Sequence, residues 1–114
     1  MKLPRWLTGR GPDEVNAKLV GCWQRVEPQV AHEDAVEIQF SDGGRLRYCV
    51  LANDKWQIMK LTYRVDGSML VTDQPSAPRG ERTRFSLDGD DALVLEFGGE
   101  RSTYRRGKCR APVV

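Results

Sequence analysis

The feature that most constrains this chain is a period-two alternation of apolar and polar residues, which recurs between turn signals from Trp23 to Arg106. Val36, Ile38 and Phe40 alternate with Glu37 and Gln39, Ser41-Asp42-Gly43-Gly44 turns the chain, and Leu46, Tyr48 and Val50 alternate with Arg45, Arg47 and Cys49. Successive side chains of a strand point to opposite faces, so this segment reads as a hairpin with one apolar face. Leu61, Tyr63 and Val65 continue the pattern into Asp66-Gly67, a strong two-residue hairpin signal, ahead of Met69 to Thr72. Thr83, Phe85 and Leu87, then Leu93, Leu95 and Phe97, then Arg101 to Arg106 follow, joined by Asp88-Gly89-Asp90 and Gly98-Gly99. With Trp23 to Glu27 in front, the spacing predicts eight strands, centred about eleven residues apart.

The joins are too short to hold crossover helices, so neighbours in sequence become antiparallel neighbours in space. A meander with one apolar face hides that face and loses its edges by closing on itself. The predicted fold is therefore all-β, an eight-stranded antiparallel up-and-down barrel with one short N-terminal helix. Pro12, Asp13 and Glu14 suit a helix start, Val15, Lys18 and Leu19 follow at helical spacing, and Gly21 ends it. The domain reading is an N-terminal extension over 1–11, the barrel over 12–106 and a C-terminal tail over 107–114.

Composition removes several classes of function. A chain of 114 residues supports one core, and 39% hydrophobic with 30% charged residues fits a globular domain with no membrane span. A net charge of +2 gives no basis for nucleic-acid binding. The basic end made by Arg101, Arg105, Arg106, Lys108 and Arg110 lacks interleaved aromatics and reads as a solvated surface. Met1 to Arg10 is broken by Pro4 and Arg5 and lacks the apolar stretch of a secretory signal, which predicts a cytoplasmic protein. Cys22, Cys49 and Cys109 are an odd count without paired spacing and are expected to be small buried thiols. His32 stands alone among potential metal-binding imidazoles, so no metal or other cofactor is expected. No serine sits in a Gly-x-Ser-x-Gly elbow and no histidine is placed as a base, so the chain is not read as an enzyme.

Leu19-Val20-Gly21-Cys22-Trp23 runs a short helix into Gly-x-Trp at the start of the first strand, and Tyr104-Arg105-Arg106 ends the last. This combination resembles the lipocalins and the wider calycin group, including the small lipocalin-like domains of bacteria. The resemblance covers about residues 12 to 106 and implies that an arginine of the closing strand, Arg105 or Arg106, packs over Trp23. An Arg-x-Tyr of the kind carried by the intracellular fatty-acid binders of that group is absent, since Arg101-Ser102-Thr103-Tyr104 has a different spacing.

Gly21, Trp23, Arg105 and Arg106 are read as structural. On a regular first strand Arg25 shares the face of Trp23 and points inward, where its charge demands a partner or an anionic ligand. A β-bulge near Val26 would instead turn it outward. Tyr48 and Tyr63 offer polar handles on the interior face, beside Phe85 and Phe97. Trp56, in the polar stretch Asn53 to Gln57, is expected in a loop, either as an anchor at the barrel mouth or as a plug folded over it. These residues suit a barrel that binds a small, partly apolar ligand in its interior. The alternative is a protein-interaction module, of inhibitor or immunity type or a homodimer, with a filled core and contacts on the outer strands.

Overall fold

The computed structural model describes residues 12–76 and 80–112. The reading of Met1 to Arg10 as lacking a signal, the extension over 1–11 and the last two residues of the tail lie outside them. Helix α1 (Pro12–Leu19) leads into eight strands: β1 (Gly21–Glu27), β2 (Ala35–Phe40), β3 (Arg45–Ala52), β4 (Lys55–Asp66), β5 (Met69–Asp73), β6 (Glu81–Asp88), β7 (Ala92–Phe97) and β8 (Glu100–Gly107). Each strand pairs antiparallel with the next, and β8 returns to β1, so the sheet is a closed barrel in sequence order. No helix among the described residues is long and apolar enough to cross a membrane.

The alternation read in the sequence is the alternation of the barrel wall. Val36, Ile38, Phe40, Leu46, Tyr63, Leu70, Phe85, Leu93 and Leu95 form the buried core, and Tyr48, Val50, Leu61, Val65 and Leu87 pack against it. Phe40 and Tyr63 meet edge to face with centroids 5.0 Å apart, one of the favoured aromatic geometries. The glycines of the predicted turns earn their places by conformation: Gly67 and Gly89 both have a positive φ, which side-chain-bearing residues adopt rarely.

The end of the barrel beneath α1 is sealed by Trp23 and Arg106. Trp23 is fully buried and donates its indole N–H to the carbonyl of Leu19 at 2.9 Å. The Arg106 guanidinium lies 4.2 Å from the centroid of the Trp23 ring. It donates to the carbonyls of Val20 and Asp90, each at 2.8 Å, and also to that of Lys18. Gly21 makes room for this arrangement. Its φ is +132°, and a Cβ there would stand 2.7 Å from Arg106 Nη1, an atom already pinned to Val20. Of the two arginines left open by the sequence, Arg106 does the sealing. Arg105 is paired with Gln24 on the outer face and is exposed, because adjacent strand residues point to opposite faces.

The tail beyond β8 corrects the reading of the cysteines. Cys22 and Cys109 are joined by a disulfide across 87 residues of chain, with Cα atoms 5.3 Å apart, and only Cys49 is a free thiol among the described residues. The bond holds the tail across the outer face of β1 to β3. There Glu37, although on the outer side of the wall, has no exposed surface. Its carboxylate accepts the backbone N–H of Arg110 at 2.7 Å and of Ala111 at 3.0 Å, together with the side-chain amides of Gln39 and Gln24. Burial alone pushes this carboxyl up, but the donors from Arg110, Gln39, Gln24 and Ala111 outweigh it and hold the pKa below the ordinary value. Arg47 completes the clasp by donating to the carbonyl of Pro112 at 2.8 Å. Cys49 pairs with Glu37 across β2 and β3 and is likewise buried.

Replacing Arg106 by Gln removes a cation–π contact and leaves three carbonyls short of a donor, so stability is expected to fall by about 2–4 kcal/mol. Urea denaturation followed by Trp fluorescence checks this, with the exposed Arg105→Gln, expected within about 0.5 kcal/mol of the parent, as the control.

Candidate functional site

The two ends of the barrel differ. The end beneath α1 is filled, whereas the opposite end, where the β1–β2 loop (residues 28–34) and the β3–β4 and β7–β8 turns gather, is open. Stagger of the strands creates part of this opening. β4 pairs with β3 from Lys55 to Thr62, but β5 begins to pair with it only at Thr62 and runs toward Asp66. The upper half of β4 therefore has one strand neighbour among the described residues. Met59 lies across from Tyr48 on the interior face, yet it is solvent-exposed.

Apolar surface concentrates at this end. The exposed large hydrophobics among the described residues are Val26, Val30, Met59 and Phe97, from 39% to 53% accessible. Val26 ends β1, Val30 is in the β1–β2 loop, Met59 is on the upper half of β4, and Phe97 ends β7. Single exposed apolar residues are ordinary, but all four lie toward one end, Val26 and Val30 on one cleft and Phe97 on a separate groove with Met69, Arg82 and Arg84. Beneath the β1–β2 loop lies an open cleft of about 930 Å³, bounded by Arg25, Val26, Val30, Glu33 and Val36 among others.

Arg25 is the charged residue of this cleft that comes from the barrel wall's interior face. A bulge does interrupt β1, but the register slips between Arg25 and Glu27, after Arg25 has paired with Tyr104. The strand is thus still regular at Arg25, which points inward as Trp23 does. Its Nη2 donates to Glu33 Oε1 in an ion pair whose side chains are 11% and 26% exposed. Glu33 belongs to the loop, which is fastened at its far end by the N–H of Asp34 donating to the carbonyl of Leu51 at 2.8 Å. Tyr48 and Tyr104 face the same pair. Burial pushes the Tyr48 hydroxyl up, with Arg25 pulling against it and Glu33 adding to it. Burial pushes Tyr104 to about 12, reinforced by Tyr48 and Glu33 and opposed by Ser102 and Arg25.

The other residues singled out in the sequence are dispersed. Tyr63 is buried in the packed half and donates its hydroxyl to the carbonyl of Ser41 at 2.8 Å, and Phe85 is a core residue. Phe97 is on the open rim. Trp56 is in β4 rather than in a loop: only Asn53 and Asp54, both with positive φ, make the turn, and pairing with Leu51 puts Trp56 on the outer face. It neither plugs nor lines the mouth. Glu33, Tyr104 and Met59 belong to the open end and were not singled out from the sequence. An inward Arg25 calls for a counter-charge, and Glu33 is the nearest acidic loop residue beyond the strand, so that partner had a sequence signal. Met59 had none, because its exposure comes from strand stagger.

No protein-family profile matches the chain, and no curated protein is similar to it in sequence. A solved structure is similar: a lipocalin-like protein from Bacteroides uniformis superposes with a TM-score of 0.61 over 79% of this chain and 99% of its own, at 17% identity. The fold is a lipocalin-like barrel. In this lipocalin-like chain the filled end carries the Gly-x-Trp and arginine seal, and the open end carries the cleft.

All three tyrosines of the chain have pKa values above the ordinary one, Tyr63 through burial and the nearby Asp42. At about pH 10, where free tyrosine is half ionised, the folded protein is expected to show less tyrosinate absorbance than the unfolded chain. Because the unfolded chain loses those protons first, the contribution to stability is complete below about pH 10 and is lost as pH rises further. Ultraviolet titration of folded and guanidinium-unfolded protein checks both statements.

Proposed function

We propose that this barrel is a binding protein, without catalytic activity, for a small, partly apolar ligand held at its open end. The observation that carries the reading is the coincidence, in one cleft, of the exposed apolar side chains Val26 and Val30 with the half-buried Arg25–Glu33 pair, behind which Tyr48 and the buried Tyr104 stand. Ligand sites combine a mostly apolar lining with a few placed polar groups, and this end supplies both. Val30 and Met59 give contact area, and Arg25, Glu33, Tyr48 and Tyr104 give orientation. The core cluster fills the other half, so the ligand sits at the mouth rather than through the length of the barrel.

A protein-interaction module is the weaker reading, since the exposed apolar residues Val26 and Val30 border a cleft that also holds a half-buried ion pair. The setting proposed is an oxidising compartment in place of the cytoplasm. Disulfides such as Cys22–Cys109 form and persist there, and they are rare where glutathione keeps thiols reduced.

The neutral fluorophore N-phenyl-1-naphthylamine tests the reading. It is expected to bind one per chain with enhanced emission, and Val30→Asp and Met59→Asp are each expected to weaken it about fivefold or more with the thermal midpoint nearly unchanged. Absence of saturable binding, or affinity indifferent to both substitutions, would overturn the proposal.

A further inference from the structure

We infer that the ligand carries an acidic group, which takes Arg25 from Glu33 and frees the middle of the β1–β2 loop. This rests on the proposal that the open end is a binding site, and it adds the chemical class of the ligand. Three observations support it.

The first is where each partner is mounted. Arg25 is fixed on the barrel wall by strand pairing to Tyr104, whereas Glu33 is in the loop that covers the cleft. The loop returns to the sheet at Asp34, and upstream of that the Arg25–Glu33 pair is the side-chain tie between loop and wall among the described residues. The pair therefore joins a hydrogen-bonded strand of the wall to a loop outside the strand ladder.

The second is the asymmetry of burial. The Arg25 side chain is 11% exposed and that of Glu33 26%. Glu33 can turn out to water at modest cost, but Arg25 cannot follow it. A guanidinium left unpaired inside the mouth would be costly, so whatever displaces Glu33 must bring a negative charge of its own. A neutral ligand has no means of separating the pair.

The third is unused hydrogen-bonding capacity. A guanidinium has five N–H donors and suits two parallel bonds to one carboxylate, sulfonate or phosphate. Arg25 makes a single-point contact with Glu33, Nη2 to Oε1. It borders the cleft, and the phenols of Tyr48 and Tyr104 stand close enough to feel its charge. Glu33 thus stands in for the acidic group of the ligand and neutralises Arg25 until that ligand arrives. Its presence also makes the site selective, because an acid must outcompete a tethered carboxylate while the apolar rim binds the rest of the molecule.

The test compares 1-anilinonaphthalene-8-sulfonate with N-phenyl-1-naphthylamine, which has the same aromatic skeleton without the sulfonate. The readout is the ratio of their affinities for the intact, disulfide-bonded protein. Glu33→Gln removes the competing carboxylate and is expected to raise the ratio in favour of the sulfonate about tenfold. Arg25→Gln is expected to reduce the parent ratio by at least as much, and Arg25→Lys to restore part of it. If Arg25→Gln does not fold, Glu33→Gln decides alone. A ratio unchanged by Glu33→Gln overturns the inference and leaves the binding proposal standing, provided the neutral probe still saturates at one per chain. Failure of the parent to bind the neutral probe overturns both.

Discussion

The contact on which the rest of the structure depends is the guanidinium of Arg106 lying on the indole of Trp23. It joins the last strand to the first, which turns a meander into a barrel, and it ties both to α1 through the carbonyls of Lys18 and Val20. Every other requirement at that end follows from it. Gly21 must lack a side chain because Arg106 occupies the space, and Trp23 must be buried because the helix end accepts its N–H. A cation–π contact of this kind contributes about 0.5–2 kcal/mol, and the hydrogen bonds made by the same guanidinium raise the cost of its loss. With one end sealed in this way, the opposite end is free to be irregular.

The irregularity is organised. β4 rises beyond β5, the β1–β2 loop is fastened to β3 at Asp34, and a half-buried ion pair ties that loop to β1. A second fastening works on the outer face, where the Cys22–Cys109 disulfide and the carboxylate of Glu37 hold the C-terminal tail. That carboxylate is held below its ordinary pKa by the donors around it. The barrel is thus secured at its base and along one side, and the cleft lies where neither fastening reaches.

Most of the architecture was legible in the sequence because strand alternation and hairpin turns are local signals. Asp66-Gly67 between Val65 and Met69, and Gly98-Gly99 between Phe97 and Glu100, define hairpins without reference to the rest of the chain; the second turns at those residues, and the first turns one residue on, at Gly67-Ser68, with Asp66 closing β4 against Met69. Alternation, however, tells two faces apart without saying what covers the outer one. Glu37 reads as solvent-facing and is buried, since Arg110 and Ala111, more than seventy positions away, lie on it. The disulfide escaped a reading based on cysteine spacing, although closure of β8 on β1 sets Cys22 opposite Gly107, two residues from Cys109. Trp56 reads as a loop residue because polar neighbours mask a two-residue turn at Asn53 and Asp54, and it lies in β4. At the site, β1 alone left Arg25 open between an inward position and a bulge that would turn it outward, and the register, which slips only after Arg25, decides it; Tyr104 and Met59 join it through strand pairing, which sequence does not print.

The most direct test of this account is a two-dimensional amide NMR titration of the disulfide-bonded protein with decanol, a small ligand that is apolar apart from one hydroxyl. The predicted result is a saturable set of shifts at Arg25, at the β1–β2 loop from Val30 to Glu33, and at Tyr48, Met59 and Tyr104. The indole N–H of Trp23 and the amides of α1 should stay unmoved. Shifts centred on Trp23 and α1, or spread over the outer strands with the cleft silent, would contradict a barrel sealed at one end and receptive at the other.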